Sequence, residues 1–205
     1  MTRNTLTVLL LLIFSTSELF GPPSVKEQSH SNTWAETTFD SLSVDERLAQ
    51  LFMIEVRPTY GAKHLAAVQR TIEEHQVGGV IFFKGNPTDQ VKLTNKFQQM
   101  SKTKMLVAID GEWGLAMRLS NTISYPYQLG LGGIQNNEII YEMGKEIGRQ
   151  CKRMGIHVNF APVIDINNNP NDPVINYRSF GEDPENVSKK GWAYAKGMQD
   201  AGIIA

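Results

Sequence analysis

The sequence predicts an α/β fold in which parallel strands alternate with crossover helices. Two observations carry this. Apolar stretches short enough for strands alternate with helix-length amphipathic stretches at a spacing of roughly 25 to 50 residues, the rhythm of βα units. The clearest strand, residues 105–109 (MLVAI), is an uninterrupted apolar run, the pattern of a strand buried on both faces in a parallel sheet. It stops abruptly at Asp110-Gly111-Glu112, so two carboxylates follow the C-terminal end of a buried strand. In α/β barrels and open α/β sheets alike, that end is where ligands bind. Pattern alone leaves both architectures open. Four clear strands and a stub are too few to close an eight-stranded barrel.

The N-terminal residues read as a targeting segment. Arg3 precedes a short apolar run at 6–14 (LTVLLLLIF), and Ser15-Thr16-Ser17 offers a small-residue cleavage site. The run is too short for an ordinary membrane span and fits a secretory signal peptide over residues 1–17, with an uncleaved N-terminal anchor as the alternative. Residues 18–33 are polar, carry Gly21-Pro22-Pro23, and read as a linker. The domain is then expected over 34–205, in the periplasm or secreted. The only cysteine, Cys151, excludes an intrachain disulfide. A hydrophobic share of 41%, a charged share of 20% and a net charge of −1 describe an ordinary globular chain with no electrostatic case for nucleic acid or an anionic membrane.

Along the chain, Ser43-x-x-Glu46 is a capping box opening a helix, with Val44, Leu48 and Leu51 on its apolar face. Residues 52–56 (FMIEV) read as a strand, and 64–75 as a helix with Leu65, Val68 and Ile72 on one side. After Gly78-Gly79 comes a strand at 80–83 (VIFF), then a helix at 88–101 with Leu93, Phe97 and Met100 inward. Beyond the 105–109 strand, residues 113–133 read as a long irregular section of the kind that is often functional. Its glycines do not follow G-x-G-x-x-G after a strand, which excludes a dinucleotide fingerprint. A helix follows at 136–154, with Ile139, Met143, Ile147 and Cys151 as its stripe and Gly155 just past its end. Residues 157–160 (HVNF) begin a fourth strand. The Asn-, Asp- and Pro-rich run 161–184 reads as loop. Asp183-Pro184 then opens a last helix to about residue 201, with Val187, Tyr194 and Met198 inward, and 203–205 begins another strand.

Asp110 and Glu112 form a tempting pair. Glycoside hydrolysis needs two carboxylates, about 5 to 5.5 Å apart for retention or about 6.5 to 9.5 Å for inversion. Two acids in one short segment are poorly placed to flank a bond from opposite sides. Asp110 instead suits the acceptance of sugar hydroxyls, since an ionised carboxylate takes two hydrogen bonds in a fixed fork. Its alternative is a plain Asp-Gly turn. Arg178 complements it with five donors, or else forms a structural ion pair with Glu182 or Asp183. Arg118 is a third candidate for the binding rim: it either pairs with Asp110 or Glu112 and holds the rim, or is a plain surface arginine. Asp165, at the end of the fourth strand, is expected to order the Asn-rich loop, with contact to substrate as the alternative. His30, His64, His75 and His157 show no H-x-x-x-H spacing, His64 and His75 read as solvated helix ends, and no cofactor or metal is expected.

Three motifs then carry a family. GGVIFF (78–83), AIDGEWG (108–114) and NFAPVIDINNNPNDPVINYRSFGEDP (159–184) resemble the N-terminal domain of glycoside hydrolase family 3, in its bacterial β-N-acetylhexosaminidase branch. The resemblance extends over about 34–205. It implies a (β/α)8 barrel, of which this chain carries about the first half, that removes terminal β-linked N-acetylglucosamine from peptidoglycan fragments or chitooligosaccharides by a retaining mechanism. It implies that Asp110 and Arg178 bind the sugar. The family's K-H-F-x-G-H-G-D segment, with its acid/base dyad, is not among these residues, nor is the nucleophilic aspartate, so residues 1–205 alone are expected to be inactive. Trp113 departs from the branch's D-x-E-G-G and has two readings, stacking on a sugar or covering the core. The rival functions are a family 3 β-glucosidase or β-xylosidase and an exported, non-catalytic carbohydrate-binding module.

Overall fold

A computed structural model of the chain describes residues 33–169 and 171–205. The signal peptide expected over 1–17, and all but the last residue of the linker expected over 18–33, lie outside the described residues. Two short helices come first, α1 (Thr33–Ser41) and α2 (Val44–Ala49). The βα units follow: β1 (Met53–Val56) and α3 (Gly61–His75), β2 (Gly79–Phe82) and α4 (Pro87–Met100). Then come β3 (Leu106–Ile109) with α5 (Gln128–Gly132) and α6 (Asn137–Arg153), and β4 (Val158–Asn159) with α7 (Pro184–Asp200).

The four strands form one parallel sheet in the order β1-β2-β3-β4. The order runs straight through with no reversal, which separates a barrel-type arrangement from a doubly wound sheet, where the strand order turns back at a switch point. Ile204 adds a single bridge beyond β4, pairing with Val158, so residues 203–205 do begin a further parallel partner.

Register explains the core. Val56, Phe82, Ile109 and Asn159 lie in one row across the sheet, with Val80 and Val107 two residues earlier on the same face. These apolar residues are buried with Val68 and Ile72 of α3, Phe97 of α4, and Ile147 and Cys151 of α6. Each such side chain contributes about 1.5–3 kcal/mol on burial. The expectation that β3 is buried on both faces holds for Val107, Ala108 and Ile109 but not for Leu106, which is exposed on the opposite face.

Local chemistry starts the helices where expected. Ser43 and Glu46 make the reciprocal capping box of α2. Asn86, Asn136 and Asp183 accept the first free N–H groups of α4, α6 and α7, and Pro follows directly in α4 and α7. Gly155, at φ +70°, takes the left-handed position just past α6. Four expectations need correction. Val44, Leu48 and Leu51 all face outward, so the apolar stripe of α2 is uncovered among the described residues. The stripe of α6 is centred on Ile140, Gly144, Ile147, Gly148 and Cys151, and Ile139 points out. Its glycines are the contact with α7: a Cβ at Gly144 would stand 2.3 Å from the Tyr194 carbonyl oxygen, and one at Gly197 of α7 would stand 2.1 Å from that of Tyr141. The section at 113–133 is not wholly irregular, since it contains α5 and a 3-10 turn at Leu115–Met117. His64 also differs from its reading as solvated, because its Nε2 accepts the Arg57 backbone N–H at 3.0 Å.

Candidate functional site

The site is built on the turn that follows β3. Asp110 is the first residue past the strand, and its Oδ2 accepts from Arg118 Nη2 at 2.7 Å. Arg118 follows the Leu115–Met117 turn, with its guanidinium 4.6 Å from the centre of the Phe83 ring. The cation is thus held between a ring face and a carboxylate. Asp110 Oδ1 has no hydrogen-bond partner among the described residues, and the side chain is 23% exposed.

The next two residues are clamped from two sides. Asn159, at the end of β4, accepts the Gly111 N–H at 2.7 Å, and its Nδ2 lies 3.4 Å from the Gly111 carbonyl. Tyr194, fully buried on α7, points its hydroxyl at the Gly111 and Glu112 carbonyl oxygens, each 3.1 Å away. Burial holds the Tyr194 phenol well above its ordinary pKa, so the hydroxyl stays a donor.

Glu112 is consequently fixed with its carboxylate only 3% exposed, where it grips Arg178. Arg178 Nη2 donates to Oε1 at 2.7 Å and Nε to Oε2 at 3.0 Å, a bidentate fork. Hydrogen bonding to Glu112 raises the guanidinium pKa further. Arg178 Nη1 donates to the Val174 carbonyl at 3.2 Å, which leaves one N–H on each terminal nitrogen for a ligand. The loop carrying Arg178 is itself tied down. Asp172 Oδ1 accepts the N–H groups of Val174 and Ile175 at 2.7 and 2.8 Å, and these bonds lower its pKa. Ser179 Oγ donates to the Asp165 carbonyl at 2.5 Å.

The structure therefore brings Asp110, Arg118 and Arg178 to one rim, at the C-terminal ends of the strands. Arg118 pairs with Asp110, as one of its two readings had it. Arg178 pairs with neither Glu182 nor Asp183 but with Glu112, and Asp183 is spent capping α7. Asp165 takes part through its backbone. Trp113 sits edge-on to Tyr127, with ring centres 4.8 Å apart. The sequence reading missed two functional contributors, Asn159 and the hydroxyl of Tyr194. The signals were available: a polar residue closing an apolar strand, and a tyrosine on a buried stripe, whose hydroxyl must find a partner.

A parallel α/β scaffold with a carboxylate–guanidinium rim at its strand ends is the architecture of a barrel enzyme's binding face. The chain matches the glycosyl hydrolase family 3 N terminal domain over residues 43–205, and it belongs to that family. Beta-hexosaminidase A of Pseudoalteromonas piscicida is 35% identical over 147 residues, covering 65% of this chain and 25% of that protein. Beta-hexosaminidase LpqI of Mycobacterium tuberculosis is 31% identical over 169 residues, covering 80% of this chain and 42% of its own. Among solved structures, the family 3 β-N-acetylglucosaminidase of Paenibacillus sp. str. FPU-7 superposes with a TM-score of 0.68 at 34% identity, over 79% of this chain and 32% of that one. The chain thus spans between a quarter and less than half of the length of these curated relatives.

Proposed function

We propose that this chain supplies the sugar-gripping rim of an exported glycoside hydrolase that removes terminal non-reducing β-linked N-acetylglucosamine. The substrates are peptidoglycan fragments or chitooligosaccharides, and the mechanism is retaining. The reading is supported by one observation above others: the turn at 110–112 draws Asp110 and Arg178 to the same rim. Asp110 offers a free carboxylate oxygen to hydroxyl donors, and Arg178 offers two N–H groups to hydroxyl acceptors. Arg118 orients Asp110. Glu112 is not an acid/base in this scheme, because its carboxylate is buried and committed to Arg178. Neither carboxylate of the turn is then placed to protonate a leaving group, and these residues bind rather than cleave.

Calorimetric titration with N-acetylglucosamine tests this, alongside glucose and the Asp110→Ala variant. Charge-assisted hydrogen bonds are worth about 1.5–3 kcal/mol, so the variant is expected to bind about 10- to 100-fold more weakly. The chain alone is expected to release no nitrophenol from nitrophenyl N-acetylglucosaminide. Unchanged affinity in the variant, or turnover by the chain alone, overturns the assignment. Glucose bound as well as N-acetylglucosamine moves it to a family 3 β-glucosidase.

A further inference from the structure

We propose that Trp113, Tyr127 and Tyr177 form an aromatic platform that takes the second pyranose ring of a bound oligosaccharide, next to the ring held by Asp110 and Arg178. This rests on the sugar-binding reading of the rim. Trp113 directly follows Glu112, and Tyr177 directly precedes Arg178. The Glu112–Arg178 fork therefore pulls the two rings toward each other, to 6.5 Å between centres. Tyr127, just before α5, completes the group at 4.8 Å from Trp113 and 4.5 Å from Tyr177.

The inclinations matter as much as the distances. Trp113 meets Tyr127 at 87° and Tyr177 meets Tyr127 at 46°, so the rings touch edge-to-face and tilted rather than in parallel stacks, and such contacts cover at most one face of each ring in a pair. Tyr127 and Tyr177 stay 48% and 45% exposed, and none of the three belongs to the buried core. Rings that merely closed the loops over the core would be covered by them. A pyranose ring presents C–H groups on its faces and hydroxyls around its edge. An exposed phenol ring matches both, with an apolar face for the C–H groups and a polar tip for a hydroxyl. The position beside the charged rim, one residue from Glu112 and one from Arg178, selects a neighbouring sugar unit over a free apolar ligand.

The test compares N-acetylglucosamine with N,N′-diacetylchitobiose by calorimetry on the intact chain and on Tyr127→Ala, Tyr177→Phe, Tyr177→Ala and Asp110→Asn. The intact chain is expected to bind the disaccharide more tightly. Each alanine variant is expected to cut the disaccharide-to-monosaccharide affinity ratio about 3- to 10-fold, while Tyr177→Phe, which keeps the ring, preserves it. Thermal melts identify any variant that has lost its fold, and Tyr127→Ala, in a half-exposed ring, decides the matter if Tyr177→Ala does. Equal loss for both sugars, an unchanged ratio, or no disaccharide binding by the intact chain overturns the platform. If the ratio stays unchanged while Asp110→Asn still weakens the monosaccharide, the platform falls and the rim assignment stands. If Asp110→Asn has no effect on the monosaccharide while the ratio falls in the alanine variants, the rim assignment falls and the aromatic site stands.

Discussion

Replacing Glu112 with glutamine keeps the shape of the side chain and deletes its charge. In the structure the Glu112 carboxylate receives Arg178 Nη2 at 2.7 Å and Nε at 3.0 Å on separate oxygens. Glutamine can accept on one of them, and its NH2 group then faces a second donor. Two limits bracket the cost. Removing one partner of a fully buried pair costs about 3–5 kcal/mol, whereas an exposed pair is worth about 0–1 kcal/mol. Glu112 is 3% exposed but Arg178 is 28% exposed, so the abandoned guanidinium can still reach water. The value for charge-assisted hydrogen bonds, about 1.5–3 kcal/mol, applies between them. With a urea m-value of about 1–3 kcal/mol/M, the unfolding midpoint should drop by roughly 1 M at unchanged m. Glu55→Gln, which breaks the more exposed Arg57–Glu55 pair, serves as the comparison and should shift the midpoint far less. Loss of the fork also frees Arg178, so N-acetylglucosamine affinity should fall with stability. A Glu112→Gln midpoint equal to that of the intact chain, with unaltered sugar affinity, would refute the view that this fork positions Arg178.

Two further expectations concern the buried layer beneath the rim. Tyr194→Phe leaves the Glu112 carbonyl without a partner among the described residues, although the Gly111 carbonyl keeps the Gly114 N–H at 3.0 Å. It should cost about 1–3 kcal/mol by urea titration and weaken sugar binding, although Tyr194 lies below the rim; an unchanged midpoint counts against the clamp. Burial pushes the Cys151 thiol from 9.0 up to about 12. A raised pKa favours the protonated form, so its contribution to stability is complete below pH 9 and is lost as pH rises from 9 towards 12. Iodoacetamide at pH 8 should leave the folded chain unmodified and label it on unfolding; labelling of the folded chain at the unfolded rate would show that the thiol is accessible.

The strands were legible almost to the residue because each is a short apolar run bounded by glycine, polar residues or the carboxylate turn. Helix faces were harder to read. In α6 the centre of the contact with α7 includes Gly144 and Gly148, which add nothing to an apolar count, so the stripe counted from the large residues began at Ile139 instead of Ile140. In α2 the spacing of Val44, Leu48 and Leu51 was right, but periodicity tells that a face is apolar and not what covers it. α5 was hidden by its own glycines, of which Gly132 lets the chain pass against the Phe180 carbonyl, where a Cβ would stand 2.0 Å away. For Arg178, nearby Glu182 and Asp183 were the natural partners by sequence. The true partner is 66 residues away and is reached only once β3 and β4 lie side by side.

Asn159 occupies the end of a row that its neighbours fill with Val56, Phe82 and Ile109. Its amide works sideways as a latch between adjacent strands and catches the turn at Gly111. Sliding β4 along β3 by even one residue would turn that side chain to the other face and release the turn. Sheet alignment and the placement of Asp110 are therefore a single mechanical variable. Under the proposed binding role, a ligand arriving there meets a seat set before it comes, and its binding energy is not consumed in arranging the seat.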